Sequence, residues 1–387
     1  MHIYIVYNYD YYNPRNGGGI RYTHNLIRYL LKRDLDVTLI GVHLPNINKT
    51  AFYKSGPSTI YVARNSDSAL KFFINLFLKV PFLKFKENSI IHAHRSYFLL
   101  PFILFHPRVP KVVTLHMKPL EFVRVEYPRY FKLVDIPHKL IEFFCLDNID
   151  AIIAINEDIK SAYEKRYPKI KGKIKVISGS GIDVDKFRPM DKEKMREKYG
   201  FEVNESVVLF VGRLEKIKNV DFLIRSFAIL LRNAPNSRLV IVGRGTQQKN
   251  LANLAKDLGI EDRITFMGEV NPEKIPEVYN CADVLALPSL SEASPTVVRE
   301  ALACGIPVVS MNVGDVNKII TNPKLGIIVN EYNEKLFADA LFETLKLVRD
   351  HPEEVKEKCR EVALKRFSFE TVAKSYLEVY KSLIRER

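Results

Sequence analysis

The sequence predicts an α/β protein built from two Rossmann-like domains, and three observations indicate this class. A strand, a glycine-rich turn and an amphipathic helix follow one another through residues 2–32, as at the start of a Rossmann-like unit. A strand, a helix and a strand run through residues 283–310, in the order of a right-handed parallel crossover. The length of 387 residues and the 47% hydrophobic content are ample for two separate cores.

The N-terminal elements are predicted from an apolar run followed by glycines. The run HIYIVY predicts a strand at residues 2–7, three glycines occupy 17–19, a helix is expected at 20–32, and the next strand at 37–41. Glycines in such a turn let the backbone approach a ligand closely, although flexible turns use them freely. The glycine triplet alone is therefore weak evidence for a site.

A basic and aromatic segment, SALKFFINLFLKVPFLKFKE, occupies residues 68–87. The apolar residues that can share one helical face are Leu70, Phe73 and Phe77, with Leu78 beside them. An apolar stripe flanked by lysines is typical of a helix lying in a membrane interface, but a helix packed on the core has the same pattern. Both interpretations stand, and the proline within the segment is expected to end the helix.

Two short apolar runs, SIIHAH at 89–94 and KVVTLH at 111–116, predict buried strands that each end in a histidine. Residues at the carboxyl ends of parallel strands face the ligand crevice, so His94 and His116 are candidates for a site. A single histidine at a strand end is more often a satisfied structural residue. Further strands are expected at 151–156 and 173–178.

The second half begins with a predicted strand at 207–211 that leads into Gly212, Arg213 and Lys218, with Lys218 at the head of a helix. Arginine offers a forked contact and lysine a mobile point charge, and these suit a diphosphate at a helix start. Strands with glycine turns are also expected at 239–245 and 264–268.

The most informative stretch is DVLALPSLSEASPTVVREALACGIPVVSMNVGDVNKII, residues 283–320. After its first strand, Ser294 is the predicted N-cap and Pro295 the predicted first residue of a helix that should end near Cys304. Unpaired N–H groups and the helix dipole make such a helix start an anion site, most naturally for a phosphate.

Two glutamates bracket this helix start. Glu292 precedes it, and Glu300 lies four residues after Thr296 on the same helical face. A carboxylate accepts two hydroxyl hydrogen bonds, so the diols of a sugar ring and a ribose are matched ligands. The alternative is a solvated helix whose glutamates complement the dipole, and spacing alone leaves both open.

Composition limits the partners and the compartment. The net charge of +14 favours a polyanion or an anionic membrane surface, or else reflects a lysine-rich surface of the kind common in proteins from hot environments. Four cysteines without paired ligand spacing predict free thiols, and no metal site is expected. The N-terminus lacks a secretory signal and no run is apolar enough to span a bilayer, so a cytoplasmic protein is expected.

The run SEASPTVVREALACGIPVVS resembles the signature of the retaining glycosyltransferase family 4, whose members have the GT-B fold of two Rossmann-like domains. That family carries two glutamates with seven residues between them, which is the spacing of Glu292 and Glu300. GRLEKIK at 212–218 resembles the family's G-R-L-x-x-x-K segment, and VVTLH ends at His116 where the family has a histidine beside the donor sugar. Further segments are similar in the same order over nearly the whole chain.

The resemblance implies a domain at 1–180, a nucleotide-sugar-binding domain at 181–367 and a C-terminal helix at 368–387 that returns to the first domain. It implies that His116, Arg213, Lys218 and Glu292 carry catalysis. It also implies a nucleotide-sugar site containing Gly18, Gly19, Gly212, Arg213, Lys218, Gly243, Met267, Glu292, Ser294, Pro295, Thr296 and Glu300.

The implied reaction is transfer of a hexosyl group, with retained configuration, from a UDP- or GDP-sugar to a hydroxyl of a lipid-linked or polysaccharide acceptor. No cofactor or metal is expected, and the segment 70–86 is a possible contact with an anionic membrane. The rivals are a GT-B phosphorylase or nucleotide-sugar epimerase and, from another class, a basic nucleic-acid-binding protein. Against the last, basic residues are scattered through both halves without a recognition motif, so no nucleic-acid partner is expected.

Overall fold

The computed structural model describes residues 1–12, 18–44, 56–64, 68–119, 131–177, 179 and 181–385. The chain divides into two compact units: Met1–Gly181 with Phe369–Arg387, and Ile182–Ser368. Each unit has its own parallel sheet and its own hydrophobic core. The predicted pair of α/β domains is therefore confirmed.

Within the described residues, seven parallel strands form the sheet of the first unit, in the order β3-β2-β1-β4-β5-β6-β7. The strands are β1 (His2–Val6), β2 (Asp36–His43), β3 (Ser58–Arg64), β4 (Ser89–Ala93), β5 (Lys111–Leu115), β6 (Ala151–Ala154) and β7 (Ile174–Val176). The central strands β1, β4 and β5 are buried at every residue, because helices cover both faces of a doubly wound sheet.

Five helices of the first unit connect these strands in the part of the chain described. They are α1 (Gly18–Lys32), α2 (Ala69–Lys79), α3 (Leu100–Phe105), α4 (Phe131–Asp147) and α5 (Glu157–Arg166). Short 3₁₀ turns lie at Val80–Phe82, Ser96–Leu99 and Pro168–Ile170.

The sheet of the second unit has six parallel strands in the order β10-β9-β8-β11-β12-β13, counted over residues 182–368. They are β8 (Ser206–Val211), β9 (Ser237–Val242), β10 (Ile264–Gly268), β11 (Val284–Leu287), β12 (Val308–Met311) and β13 (Gly326–Val329). The strand order reverses between β8 and β11, which is the topological switch point where such sheets bind ligands.

The helices of the second unit are α6 (Lys192–Tyr199), α7 (Val220–Asn233), α8 (Gln248–Asp257), α9 (Ile275–Tyr279), α10 (Thr296–Ala303), α11 (Val316–Ile319), α12 (Glu334–Asp350) and α13 (Pro352–Val362). Its 3₁₀ turns are Lys216–Lys218, Glu261–Arg263 and Pro323–Leu325, and a π-helical turn spans Ala363–Phe367. The last helix, α14 (Phe369–Arg385), belongs to the first unit, where it buries Val372, Tyr376 and Tyr380.

Helix α2 packs one face on the core and exposes another face that carries apolar residues. Ala69, Phe72 and Leu76 are buried in the core of the first unit. Phe73 and Phe77 are half-buried, and their rings pack edge-on with centroids 5.2 Å apart. Of the residues that the sequence assigns to one helical face, only Leu70 is exposed, with Leu78 exposed beside it.

The exposed apolar residues of this segment recur at every fourth position. We call them the α2 strip: Leu70 (54% exposed), Ile74 (51%), Leu78 (65%) and Phe82 (83%). The helix ends at Lys79, and the 3₁₀ turn that contains the proline follows. Among the helices of the described residues, none is long and apolar enough to cross a membrane.

Candidate functional site

Two loops of the second unit leave the carboxyl edge of its sheet side by side. The loop after β8 carries Gly212, Arg213 and Lys218, and the loop after β11 carries Glu292. The loops meet because β8 and β11 are neighbouring parallel strands. This edge is where open α/β sheets bind their ligands.

An ion pair joins the two loops. Lys218 Nζ donates to Glu292 Oε1 at 2.6 Å, and Ser289 Oγ donates to the same carboxylate oxygen at 2.8 Å. The Lys218 side chain is 20% exposed and that of Glu292 is 13% exposed. Partial burial of a charge pair strengthens its attraction relative to a pair in open solvent. The structure thus brings together two predicted residues that lie 74 positions apart in sequence.

The sequence predicts Lys218 at the head of a helix, but the structure places it just before one. It ends the 3₁₀ turn Lys216–Lys218, and α7 begins only at Val220. Asn219 between them has φ 53° and ψ 41°, the left-handed conformation that asparagine tolerates. Its side-chain Nδ2 donates to the Pro288 carbonyl at 3.3 Å, which ties the β8 loop to the β11 loop a second time.

The predicted glycines Gly212 and Gly243 let three strand ends pack tightly. Gly212 N–H donates to Val242 O at 3.0 Å, and Gly243 N–H donates to Gly268 O at 2.7 Å. Gly243 has φ 132°, and a Cβ there would lie 1.8 Å from the Gly212 carbonyl oxygen, so no side chain fits. These contacts assign both glycines a packing role.

Two further residues predicted at this edge are accessible. Arg213 is exposed, and its charge helps to lower the pKa of Glu215, after the hydrogen bonds that Glu215 accepts from Thr246. Met267, near the end of β10, is half-buried. Arg213 is therefore free of close ion pairing within the described residues, in contrast to Lys218.

Helix α10 begins one residue later than predicted. Pro295 occupies the N-cap position with φ −69° and ψ 114°, and it offers no side chain to the first-turn N–H groups. Ser294, the predicted N-cap, instead donates from Oγ to Asp315 Oδ2 at 3.0 Å. The N-cap position therefore supplies no side-chain hydrogen bond to the first-turn N–H groups, and unpaired N–H groups at a helix start are the donors that an anion needs. The helix ends at Ala303, with Gly305 at φ 83° as predicted.

Sequence reasoning missed a buried ion pair beneath this helix. Arg299 Nη2 donates to Asp315 Oδ2 at 2.5 Å, with the two side chains 1% and 4% exposed. Asp315 thus anchors both Ser294 and Arg299. The available signal in TVVREALA was weak, because Arg299 follows two valines but is itself followed by Glu300, so the local pattern does not assign it to a buried helical face.

Glu300, the second predicted glutamate, is also buried. It is 7% exposed, and Oε2 accepts a hydrogen bond from the Tyr279 hydroxyl at 2.9 Å. The alternative of a solvated helix with surface glutamates is wrong for both carboxylates, since Glu292 is also largely covered.

Gly314 packs the next loop against the one that carries Glu292. Its φ is 57°, and a Cβ would lie 2.7 Å from the Ala293 carbonyl oxygen and 2.8 Å from that of Glu292. Any side chain here would push the Glu292 backbone away from Lys218. The loops after β8, β11 and β12 therefore form one packed cluster.

In the first unit, the histidines after β4 and β5 form a hydrogen-bonded pair. His94 Nδ1 and His116 Nε2 are 2.7 Å apart, and their rings lie nearly parallel at 23°. Burial, with the positive charge of Arg95 beside it, lowers the pKa of His116 to about 3. Burial and the neighbouring histidines hold the pKa of His94 well below its usual value. Both rings are neutral at physiological pH.

A hydroxyl network behind this pair reaches helix α14. His92 lies between the Tyr380 hydroxyl, 2.6 Å from Nδ1, and Thr114 Oγ1, 2.8 Å from Nε2. Thr114 Oγ1 is 3.2 Å from the Tyr376 hydroxyl, which is also hydrogen-bonded to the Tyr22 hydroxyl. The ring of Tyr22 packs edge-on to His116, with centroids 4.7 Å apart. The sequence did not indicate this network, because its members come from four separate segments.

The glycine-rich turn is described only in part. Gly17 lies outside the described residues, and Gly18 and Gly19 begin α1. A Cβ on Gly19 would lie 2.8 Å from the Tyr7 hydroxyl, so a side chain at this position would displace the end of the Tyr7 side chain. The predicted site residues therefore fall into two groups: Gly18, Gly19 and His116 in the first unit and the remainder in the second.

Comparison with known proteins gives a consistent picture. A model described as glycosyl transferases group 1 matches residues 191–363, and a Glycosyltransferase Family 4 model matches residues 16–186. The D-inositol 3-phosphate glycosyltransferase of Mycobacteroides abscessus is 34% identical over 205 residues, which cover 52% of this chain and 45% of the relative. The chain spans about half the length of the curated relatives it matches.

Solved structures with the same fold cover the whole chain. A sucrose-phosphate synthase from Thermosynechococcus elongatus superposes with a TM-score of 0.77 at 20% identity and covers 100% of both chains. Anabaena HepE in complex with UDP superposes with a TM-score of 0.77 at 19% identity, covering 99% of this chain and 100% of the other. With two family models matched on either side of the β7–α6 connection, the chain belongs to glycosyltransferase family 4 and has the GT-B fold.

Proposed function

We propose that the protein transfers a hexosyl group, with retention of configuration, from a UDP- or GDP-sugar to a hydroxyl group of a lipid-linked or polysaccharide acceptor. The observation that carries this proposal is the Lys218–Glu292 ion pair, with Nζ and Oε1 2.6 Å apart. The pair holds a cation and a carboxylate at adjoining positions of one sheet edge. This supports a ligand that carries both a diphosphate and sugar hydroxyls, as a nucleoside-diphosphate sugar does.

In this proposal Lys218 and Arg213 bind the departing diphosphate. Charge builds on the diphosphate in the transition state, so preorganised cations and the uncapped N–H groups of α10 supply the largest catalytic contribution. Lys218 is already held in place by Glu292, whereas exposed Arg213 folds over the phosphates when the donor binds. Gly212, Gly243 and Met267 shape the surrounding wall.

Glu292 holds hydroxyls of the donor sugar, Glu300 the ribose, and His116 of the first unit orients the sugar. A carboxylate that Lys218 neutralises and that Ser289 also contacts is a weak nucleophile towards the anomeric carbon. We therefore propose front-face attack by the acceptor, with the leaving phosphate oxygen receiving the acceptor's proton. Ser294, Pro295 and Thr296 contribute the backbone of the anion site.

Two acceptor classes deserve comparison. The curated relatives are named for D-inositol 3-phosphate, a phosphorylated polyol, whereas the exposed α2 strip favours an acceptor at a membrane. The strip is accompanied by four exposed lysines, Lys71, Lys79, Lys84 and Lys86. Each basic residue near an anionic lipid surface contributes about 1 kcal/mol, so several acting together give reversible docking. We propose that this surface docks the protein on anionic lipid beside a lipid-linked acceptor.

A thermal-shift panel tests the donor site. UDP, GDP, ADP, UDP-glucose and GDP-mannose are each added to the wild-type protein and to Lys218→Ala. A ligand at about 100 times its dissociation constant stabilises by about 2.7 kcal/mol, which is a shift of several degrees in Tm. One nucleotide should stabilise the wild type and not the variant. If none of them shifts the wild type, the nucleotide-sugar proposal is wrong.

Further measurements separate the rival functions. An epimerase converts the bound sugar without any acceptor, which high-performance chromatography of the recovered nucleotide sugar detects. A phosphorylase releases a sugar phosphate when inorganic phosphate is supplied with a glycan. A nucleic-acid-binding protein is stabilised by duplex or single-stranded oligonucleotides instead of by nucleotide sugars. Formation of free nucleotide only when a hydroxyl acceptor is present supports the transferase.

A further inference from the structure

We propose that His94 is a positioning residue that fixes the tautomer of His116: its Nδ1–H donates to His116 Nε2, which leaves the His116 proton on Nδ1. The significance for catalysis rests on the proposed function, in which His116 orients the donor sugar. The position of the proton itself does not depend on that function. It follows from the contacts of the pair.

The first step concerns the number of protons between the two rings. With the pKa of both histidines lowered by burial, each ring carries a single N–H at neutral pH. The 2.7 Å separation of His94 Nδ1 and His116 Nε2 requires one of these nitrogens to donate and the other to accept. Two arrangements are therefore possible, and they differ in which nitrogen of His116 is protonated.

The surroundings of His94 distinguish the two arrangements. Its other nitrogen, Nε2, is buried and has no hydrogen-bond partner among the described residues. The rings of His92, Tyr7 and Tyr22 surround it, with centroids 4.8, 5.5 and 6.0 Å away. If His116 donated, His94 would bury an unpaired N–H; if His94 donates, it buries only a lone pair. Orphaned buried N–H groups are the rarer of the two in proteins, which favours His94 as donor.

The consequence is chemical. His116 Nδ1 makes no hydrogen bond to any described residue, and in this tautomer it presents an N–H group to a ligand. An N–H donor matches an oxygen of a sugar hydroxyl or of a phosphate and cannot remove a proton from either. His116 therefore acts as a fixed hydrogen-bond donor, and His94 determines that it does.

Nitrogen-15 NMR reads this tautomer directly. The full-length protein is labelled with [¹⁵N]histidine, and long-range ¹H–¹⁵N correlations at pH 7.5 without ligand report which nitrogen of each ring is protonated. The His116 signals are identified by their loss in His116→Gln. Protonation of His116 on Nδ1 is expected, and protonation on Nε2 in the wild-type protein would overturn the proposal.

Variants of His94 test whether it is the cause. The side-chain amide of asparagine can place an N–H donor close to the position of the imidazole Nδ1, so His94→Asn should keep the Nδ1–H tautomer of His116, whereas His94→Phe should lose it. His2→Phe is the matched control, because His2 is also a buried strand histidine, bonded to Thr38 at 2.8 Å, but lies at the start of β1. If His116 keeps its Nδ1 proton in folded His94→Phe, His94 does not set the tautomer.

Turnover separates this inference from the proposed function. Nucleotide release is measured with UDP-glucose or GDP-mannose, whichever the thermal-shift panel selects. His94→Phe should lower kcat about tenfold, as His116→Gln does, while His94→Asn and His2→Phe stay within about threefold. A correct tautomer together with unchanged kcat in His116→Gln would contradict the role of His116 in the proposed function and leave the tautomer assignment standing.

Discussion

The two units hold their candidate residues by opposite physical means. In the first unit, neutral imidazoles and hydroxyls around His116 are fixed by aromatic packing and hydrogen bonds. In the second unit, the Lys218–Glu292 and Arg299–Asp315 ion pairs fix the loops after β8, β11 and β12. Related doubly wound sheets can therefore present either a neutral or a charged edge. In the proposed function, the charged edge binds the diphosphate, and His116 at the neutral edge binds the sugar.

Removal of a cation from the charged edge should have the largest effect. Lys218→Ala is expected to lower kcat/KM about 100- to 1,000-fold, because the diphosphate loses a preorganised charge in the transition state. Arg213→Ala should lower kcat/KM by a smaller factor, since the exposed Arg213 side chain must be ordered when the donor binds. Steady-state kinetics with the selected donor measures both.

Lys216→Ala is the matched control for Lys218. Lys216 is exposed and lies in the same 3₁₀ turn, two residues earlier. It should retain nearly full activity. Equal losses in Lys216→Ala and Lys218→Ala would mean that general positive charge, and not the Lys218–Glu292 pair, is what the donor needs.

The two carboxylates should rank in a defined order. Glu292→Gln removes the carboxylate charge that holds Lys218. In the proposed function the same carboxylate contacts the reacting sugar, so kcat should fall about 10- to 100-fold. Glu300→Gln keeps an acceptor for the Tyr279 hydroxyl and should mainly raise the donor KM, by less than about tenfold. Saturation kinetics on both variants separates kcat from KM, and the reverse order would show that the carboxylates are assigned the wrong way round.

Acid should destabilise the first unit before the second. Burial lowers the pKa of His92 and His116 to about 3. Below pH 6.5 these histidines are therefore protonated in the unfolded chain and remain neutral in the folded chain. Each of them lowers the free energy of unfolding by about 1.4 kcal/mol for every pH unit from 6.5 down towards 3. In the second unit, the hydrogen bond from Lys198 lowers the pKa of Glu277 to about 2, and that stabilisation is lost only between pH 4.5 and 2.

Hydrogen exchange measured by mass spectrometry at pH 7 and pH 5, corrected for the intrinsic exchange rate, measures how much acid destabilises each unit. Exchange at pH 5 should accelerate in β4, β5 and α14, and change little in β11 and α10. His116→Gln removes one titrating group and should reduce the acceleration. Equal acceleration in both units would contradict the comparison.

The smallest binding energy in these predictions concerns the lysines beside the α2 strip, on the surface of the first unit. Wild-type protein should co-sediment with phosphatidylglycerol vesicles at low salt and be released at high salt, because surface charges are screened. Replacing Lys71, Lys79, Lys84 and Lys86 by glutamate should abolish sedimentation.

The matched control changes the net charge equally on the second unit. It replaces four exposed lysines, Lys249, Lys256, Lys335 and Lys346, by glutamate. This variant should sediment almost as the wild type does. If both variants sediment alike, the α2 strip does not dock on lipid, and a soluble phosphorylated acceptor becomes the better choice.

Most strands and the order of the site segments could be predicted from local patterns. Apolar runs at 2–7, 111–116 and 207–211 correspond to β1, β5 and β8. β3 and β13 were not predicted: STIYVAR in β3 is only partly buried, and GIIV in β13 has four residues, so neither shows a strong period. At α10 the expected N-cap was wrong because Ser294 is taken by Asp315, a partner 21 positions away.

The sequence by itself determined the α/β class, the family and the residue types at the charged edge, because short local motifs such as GRLEKIK and SEASPTVVREALACG are enough to identify them. Only the tertiary structure decided which of those residues touch. The pairing of Lys218 with Glu292, of Arg299 with Asp315, and of His94 with His116 depends on which strands are neighbours in each sheet. Strand order is a global property, and local periodicity carries no information about it.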